Sequence, residues 1–313
     1  NTKLYTGNGS TQSITGVGHQ PDFVWIKNRT TDFGSRLLDS VRGATKELFS
    51  NSHIVENTNT DSLTSFDSDG FSLGSHGGVN ENSSNFVSWS WKESTTAGFD
   101  MVGYSGTGSQ PATVSHSLGV IPDVVLVKPR NDAQSWCMYH QGIGAGNIIY
   151  LDVTSGSGGS SVWNSTSPTS SVFTVNDNQV NKSSTNYIAY CFKGIKGFSK
   201  FSSYVGNGSS DGSYIHLGFK PAFYIIKRTD TSGSWIIKDN LRPGYNVNGS
   251  YLVADTNQTE ATGSGNLATD ELSNGFKIRG TSTAINASGG TYIYMAFAEN
   301  PFVTSTGIPT TAK

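Results

Sequence analysis

The sequence predicts an all-β chain of three tandem, homologous antiparallel β-sandwich domains, jelly-roll-like and about 100 residues each. Three observations predict it. One unit occurs three times, at 5–27, 104–128 and 204–227: Tyr-x-Gly-x-Gly, a polar segment, Gly-x-x-Pro and an apolar run ending on lysine. Its leading tyrosines Tyr5, Tyr104 and Tyr204 lie 99 and 100 residues apart. Short apolar runs are separated about every eight to twelve residues by clusters of Gly, Asn, Asp and Ser, the pattern of sandwiches and barrels. The closing strand of each copy alternates bulky and mostly small residues, as a strand does when one face fills a core and the other lies under a close neighbour.

In chain order the copies read as 1–97, 98–196 and 197–313, the last with a C-terminal tail. Each is near the commonest domain size and is expected to bury its own core and fold alone. In each, proline (Pro21, Pro122, Pro221) opens a strand, because it pushes its predecessor toward extended geometry and has no N–H to give a ladder. Phe23 and Trp25 then point one way and Val24 and Ile26 the other, so this strand is apolar on both faces, as covered central strands are. The next runs, SRLLDSVRG with KELFSNS, pair with SWCMYHQGIG and NIIYLDVT, then with SWIIKDNLRPG and SYLVADT. A hairpin follows in SFDSDGFSLGS, and its partners are SSVFTVND and LSNGFKIRG. The closing strands put Val87, Trp89 and Trp91, then Ile188, Tyr190 and Phe192, then Ile293, Met295 and Phe297 on one face, against Ser88, Ser90, Ala189, Cys191 and Ala296 on the other. A second face left apolar in every copy predicts a homo-oligomer, most simply a trimer. The lead-ins GFDMVGY and GFSKFSSY of the later copies shorten to NTKLY in the first, which predicts a lost piece ahead of Asn1.

Charged residues make up 14% of the chain, with a formal net charge of -2, which argues against a nucleic-acid partner. No apolar stretch is long enough for a membrane span. Two cysteines, Cys137 and Cys191, make neither a disulfide scaffold nor a zinc site and read as buried free thiols, with a bridge as the alternative.

The candidate site positions each have a plain structural reading. Asn80, Asn181 and Asn286 recur six residues before the first aromatic of each closing strand, as a ligand-contacting amide or as a turn residue, and the turn is the simpler. Paired glycines (Gly7 and Gly9, Gly106 and Gly108, Gly206 and Gly208) lack the third glycine and helix of a dinucleotide fingerprint and point to positive φ or close backbone approach. Asp67, Asp69 and Gly70 carry no closing Glu for a calcium loop, and a hairpin turn explains them. Asp39 with Arg42 and Asp239 with Arg242 read as surface turn pairs worth under about 1 kcal/mol. Lys27, Lys128 and Lys227 read as stems on apolar surface with heads in water, with anion binding as the alternative. His19, His53, His76, His116, His140 and His216 are scattered, so the reading holds no catalytic residue, no cofactor and no metal, and the chain is not expected to be an enzyme.

The runs PDFVWIKNR, DSVRGATKELFSN and SFDSDGFSLGS, then SSVFTVND and YIAYCFKGIKGFSKFSSYVGNG, then FKPAFYIIKRTD, LSNGFKIRG and NASGGTYIYMAFAENPF resemble tandem modules of predicted virion and tail-fibre proteins of marine bacteriophages, cyanophages included. The resemblance implies a virion surface protein made in the bacterial cytoplasm and carried outside on the particle, with other virion proteins as partners. It assigns no residue a role. Host recognition through surface glycan is the first expectation. A capsid or tail decoration protein with protein contacts only is the alternative, and a polysaccharide depolymerase the weaker one. Exposed aromatics clustered with Asn and Asp at a tip would favour adhesion, and aromatics buried throughout would favour decoration.

Overall fold

The structure is a computed structural model and describes residues 1–299. The tail expected at the end of the third copy lies beyond them. The chain is all-β and every strand pairing is antiparallel.

In the first copy a six-stranded sheet runs in the order Thr2–Thr6, Asn85–Trp91, Phe23–Asn28, Arg36–Asp39, Lys46–Phe49, Asn57–Thr58. The closing strand thus sits between the opening strand and the strand that follows the proline. The second copy repeats this order with Phe99–Ser105, Asn186–Phe192, Val124–Pro129, Cys137–His140, Asn147–Tyr150 and Gly158–Gly159. The third does so with five strands: Ser199–Val205, Thr291–Ala298, Pro221–Arg228, Ile236–Asp239 and Leu252–Val253. Each large sheet is backed by a smaller one, Gln12–Thr15, Gly70–Leu73 and Leu63–Asp67 in the first copy. The sandwich cores between them hold Val24, Ile26, Leu38 and Phe71 in the first copy, Val125, Ala189 and Cys191 in the second, and Tyr224, Ile226 and Ala296 in the third.

The opposite faces of the three large sheets pack against one another. Phe23, Trp25, Trp89 and Trp91, Leu126, Tyr190 and Phe192, and Phe223, Met295 and Phe297 form one cluster contributed by all three copies. Aromatic contacts cross between copies, as in Phe23 with Tyr190 at 4.8 Å, Trp91 with Phe297 at 5.4 Å and Phe192 with Phe297 at 6.0 Å between centroids. This corrects the expectation of three self-sufficient domains. A copy cut free would expose the whole inner face of its large sheet, and burying each such aromatic contributes about 1.5–3 kcal/mol. The face that predicted a homotrimer is covered inside the chain, by its own other two copies.

The three lysines correct a second expectation. Lys27, Lys128 and Lys227 are fully buried. Lys128 Nζ donates to the His53 carbonyl of the first copy at 3.1 Å, and Lys227 Nζ donates to Thr154 of the second at 2.7 Å. Lys27 Nζ donates to Asn257 of the third at 2.8 Å. Each lysine therefore reaches the preceding copy, and the first reaches the last, so the copies close a ring. Burial pushes each amine down to about 8, while carbonyl acceptors favour the charged form. Indole groups follow the same direction: Trp136 Nε1 donates to Phe49 O and Trp235 Nε1 to Tyr150 O, both at 2.8 Å. The first copy has Ser35 at the equivalent place, and there Ser50 Oγ reaches Ala254 O at 2.6 Å.

The acidic turns belong to the ring as well. Asp39 and Arg42 are buried, with Arg42 Nε on Asp39 Oδ2 at 2.5 Å, and the hydroxyl of Tyr190 in the second copy donates to that same oxygen at 2.6 Å. Glu56 accepts Arg42 of its own copy and Arg130 of the next. Glu260 likewise accepts Arg242 of its own copy and Arg29 of the first. Asp39–Arg42 and Asp239–Arg242 are thus buried pairs within a copy, tied across the seams through Glu56 and Glu260, and not the surface pairs read from the sequence. In the second copy His140 stands at the aspartate's place. Its Nδ1 accepts the Gly142 N–H at 3.0 Å and its Nε2–H donates to Tyr294 O of the third copy at 3.2 Å, which fixes a neutral tautomer. Burial pushes the imidazole down to about 4.

Candidate functional site: a pocket at the seam of the ring

Asn80, Asn181 and Asn286 end one-turn helices, Gly77–Asn80, Asn178–Asn181 and Thr283–Asn286, and are buried at 0%, 1% and 0% exposure. Each Oδ1 accepts a loop N–H, from Asn8, Thr107 or Asn207, at 2.9–3.0 Å. Each Nδ2 donates to loop carbonyls, those of Ser10, Ser109 and Ser209 among them. No amide atom is left for a ligand, and the three residues act as clamps on the Gly-x-Gly loop. The loop's composition follows from this. A Cβ on Gly7 would lie 2.1 Å from the Glu81 carbonyl oxygen, and Gly9 has φ +68°. Tyr5, Tyr104 and Tyr204 complete the clamp by donating from their hydroxyls to Val79, Val180 and Ile285 carbonyls at 2.7–2.8 Å.

The hairpin carboxylates are similarly engaged. Asp69 accepts the backbone N–H groups of Gly16 and Gly18 at 3.0 and 2.6 Å, which holds its carboxyl below the usual range, and Asp67 accepts the hydroxyls of Ser65 and Ser72. Cys137 and Cys191 are buried free thiols on strands flanking Val124–Pro129. Among the described residues no three His, Cys, Asp or Glu side chains stand together in a metal-binding group, and no helix is long and apolar enough to cross a membrane.

A concavity of about 660 Å³ opens where the third copy meets the first. By strand register Thr2 opposes Trp89 where Met101 opposes Tyr190 and Phe201 opposes Met295. A threonine thus stands where the other copies place a large apolar side chain, and space remains beside the shared core. Trp89, Trp91, Phe99, Phe198, Phe223 and Phe297 wall it, while Lys92, Asn240 and Glu299 are among its polar rim. Three of its lining residues carry buried polar atoms with no partner: Trp89 Nε1, Ser90 Oγ and His19 Nε2. At the equivalent place on the seam between first and second copies the Tyr190 hydroxyl is satisfied by Asp39. Here the indole N–H is not, and unsatisfied buried donors of this kind are uncommon. Burial also lowers the pKa of His19, which favours a neutral ring able to donate or accept. A volume in this range, apolar walls and a few polar groups are the features of a small-ligand site.

Of the candidate positions read from the sequence only His19 lines this pocket, beside the closing-strand aromatics, which were read as core. The signal that could have located it is Thr2, which aligns with Met101 and Phe201 of the other copies. No curated protein matches the sequence. One family model, described as Domain of unknown function (DUF7483), runs across residues 1–301 and so takes in all three copies as a single unit, and the chain belongs to that family.

Proposed function

We propose that the chain is a bacteriophage virion surface protein that acts by binding, and that it takes a host-surface glycan into the seam pocket. The observation that carries the reading is an aromatic-walled pocket whose lining residues hold unpartnered donors. Sugar rings pack their C–H faces on aromatic faces and offer hydroxyls to such donors. The resemblance to tail-fibre modules supplies the setting, outside the cell on the particle beside other virion proteins. The three asparagines are clamps, so recognition in this reading falls on one pocket per chain and not on three repeated tips.

A decoration role through protein contacts is the second reading, and a specific observation favours it: all six tryptophans are buried. The exposed aromatic platform of a shallow adhesin is therefore missing among the described residues, with Tyr245 at 79% exposure the main exception.

Ala222 lines the pocket on the third copy's side. In Ala222→Trp a large ring fills the space without removing a core residue. The parent protein is expected to bind host polysaccharide, to compete with phage adsorption and to release no reducing sugar, and the filled variant to lose binding at an unchanged thermal midpoint. Binding to the particle alone, with adsorption unaffected, would establish decoration instead. Sugar release abolished by changing a single carboxylate would establish a depolymerase.

A further inference from the structure

The sandwich core of the third copy differs from the other two at one layer. The cross-strand pair is Val24 with Leu38 in the first copy and Val125 with Tyr139 in the second, but Tyr224 with Lys238 in the third. On the small sheet Phe66 of the first copy pairs with Phe71, and Glu271 of the third pairs with Phe276 in the same manner. An apolar set has thus become an amine, a carboxyl and a phenol, and Asn248 joins them. Lys238 and Asn248 are fully buried and Glu271 is 7% exposed. Ionised groups in such a layer are costly unless matched closely, and no ion pair joins Lys238 to Glu271.

Hydrogen bonds place an amine, a side-chain amide and a carboxyl together at Asn248. Lys238 Nζ is held on residue 248, donating to its backbone carbonyl at 3.0 Å. The side-chain carbonyl of the same residue is polarised by the Ser250 N–H, which donates to Asn248 Oδ1 at 3.1 Å. The side-chain nitrogen of Asn248 lies 2.8 Å from Glu271 Oε1, and the Tyr224 hydroxyl fixes that oxygen at 2.6 Å. The Tyr224 ring stacks on Phe276 at 4.4 Å, which keeps the site dry.

We propose that Lys238 and Asn248 become joined by an intramolecular amide bond, with Glu271 as the proton-transferring residue. Lys238 Nζ attacks Asn248 Cγ, forming the new N–C bond, and the Ser250 N–H stabilises the negative charge gathering on Oδ1. Glu271 delivers a proton to Nδ2 and receives one from the attacking nitrogen. The Cγ–Nδ2 bond breaks and ammonia leaves, so atoms and protons balance without oxidant or cofactor. Burial supplies the reactive forms, pushing Lys238 down to about 7 and raising Glu271 toward its neutral acid. The product replaces two buried ionisable groups with a neutral amide and one carboxyl. It also fastens the segment leading into Leu252–Val253, a two-residue strand where the other copies have the four-residue strands Lys46–Phe49 and Asn147–Tyr150.

Intact-mass measurement of the purified, denatured protein tests this, followed by peptide mapping. The expected result is a mass one ammonia below that of the sequence, no tryptic cleavage after Lys238, and a branched peptide joining Lys238 to Asn248. Glu271→Gln and Lys238→Met are expected to restore the full mass. Asn248 precedes Gly249, a pair prone to cyclise to a succinimide that also releases ammonia, so the branched peptide decides. A full mass in the parent protein after prolonged incubation, or an ammonia loss confined to one linear peptide, would overturn the proposal whether or not the variants fold.

Discussion

Trp91→Ala is expected to lower the stability of the whole chain by about 3–5 kcal/mol, the cost of removing a large aromatic from a core that cannot collapse around the gap. Trp91 lies 5.3 Å from Phe23, 5.5 Å from Phe223 and 5.4 Å from Phe297 between ring centroids, so its loss removes contacts within the first copy and with the third. Denaturant unfolding checks it. A midpoint that does not move would place this face of the closing strand outside the shared core.

Asp39→Ala is expected to be as damaging, at about 3–5 kcal/mol, since it strips a buried guanidinium of its closest counter-charge. The carboxylate accepts Arg42 Nε, the Arg42 backbone N–H at 2.8 Å and the Tyr190 hydroxyl, so the change also orphans donors from two copies. Asp39→Asn keeps an acceptor while removing the charge and is expected to cost less. Equal and small effects of both changes, measured by chemical denaturation, would return the pair to the surface role that its sequence suggested.

Much of the fold was legible because it depends on local pattern. Gly-x-x-Pro with the apolar run at 23–28 is central in its sheet, and the strict alternation at 86–92 sends Val87, Trp89 and Trp91 to one face as expected. What the pattern could not say is what covers the second apolar face. A partner molecule and two further copies in the same chain impose the same alternation, and only the geometry separates them. The lysines and the Asp–Arg turns were misplaced for that reason. A lysine ending an apolar strand usually reaches water, and nothing in Lys27 shows that the Asn257 carbonyl, 230 residues away, receives it. The Gly-x-Gly loop was half legible. Positive φ and close approach were the two explanations on offer, and the structure uses both, one for each glycine. The seam pocket had a signal in Thr2, which stands where Met101 and Phe201 stand in the other copies, but a smaller side chain becomes a cavity only once the neighbouring copy is in place.

The central claim is that the three copies form one cooperative ring and not three domains on a string. Differential scanning calorimetry of the full chain tests it most directly. A single transition, with calorimetric and van't Hoff enthalpies equal, is the predicted result. Three separable transitions, or a calorimetric enthalpy near three times the van't Hoff value, would show the copies unfolding independently and would contradict the account.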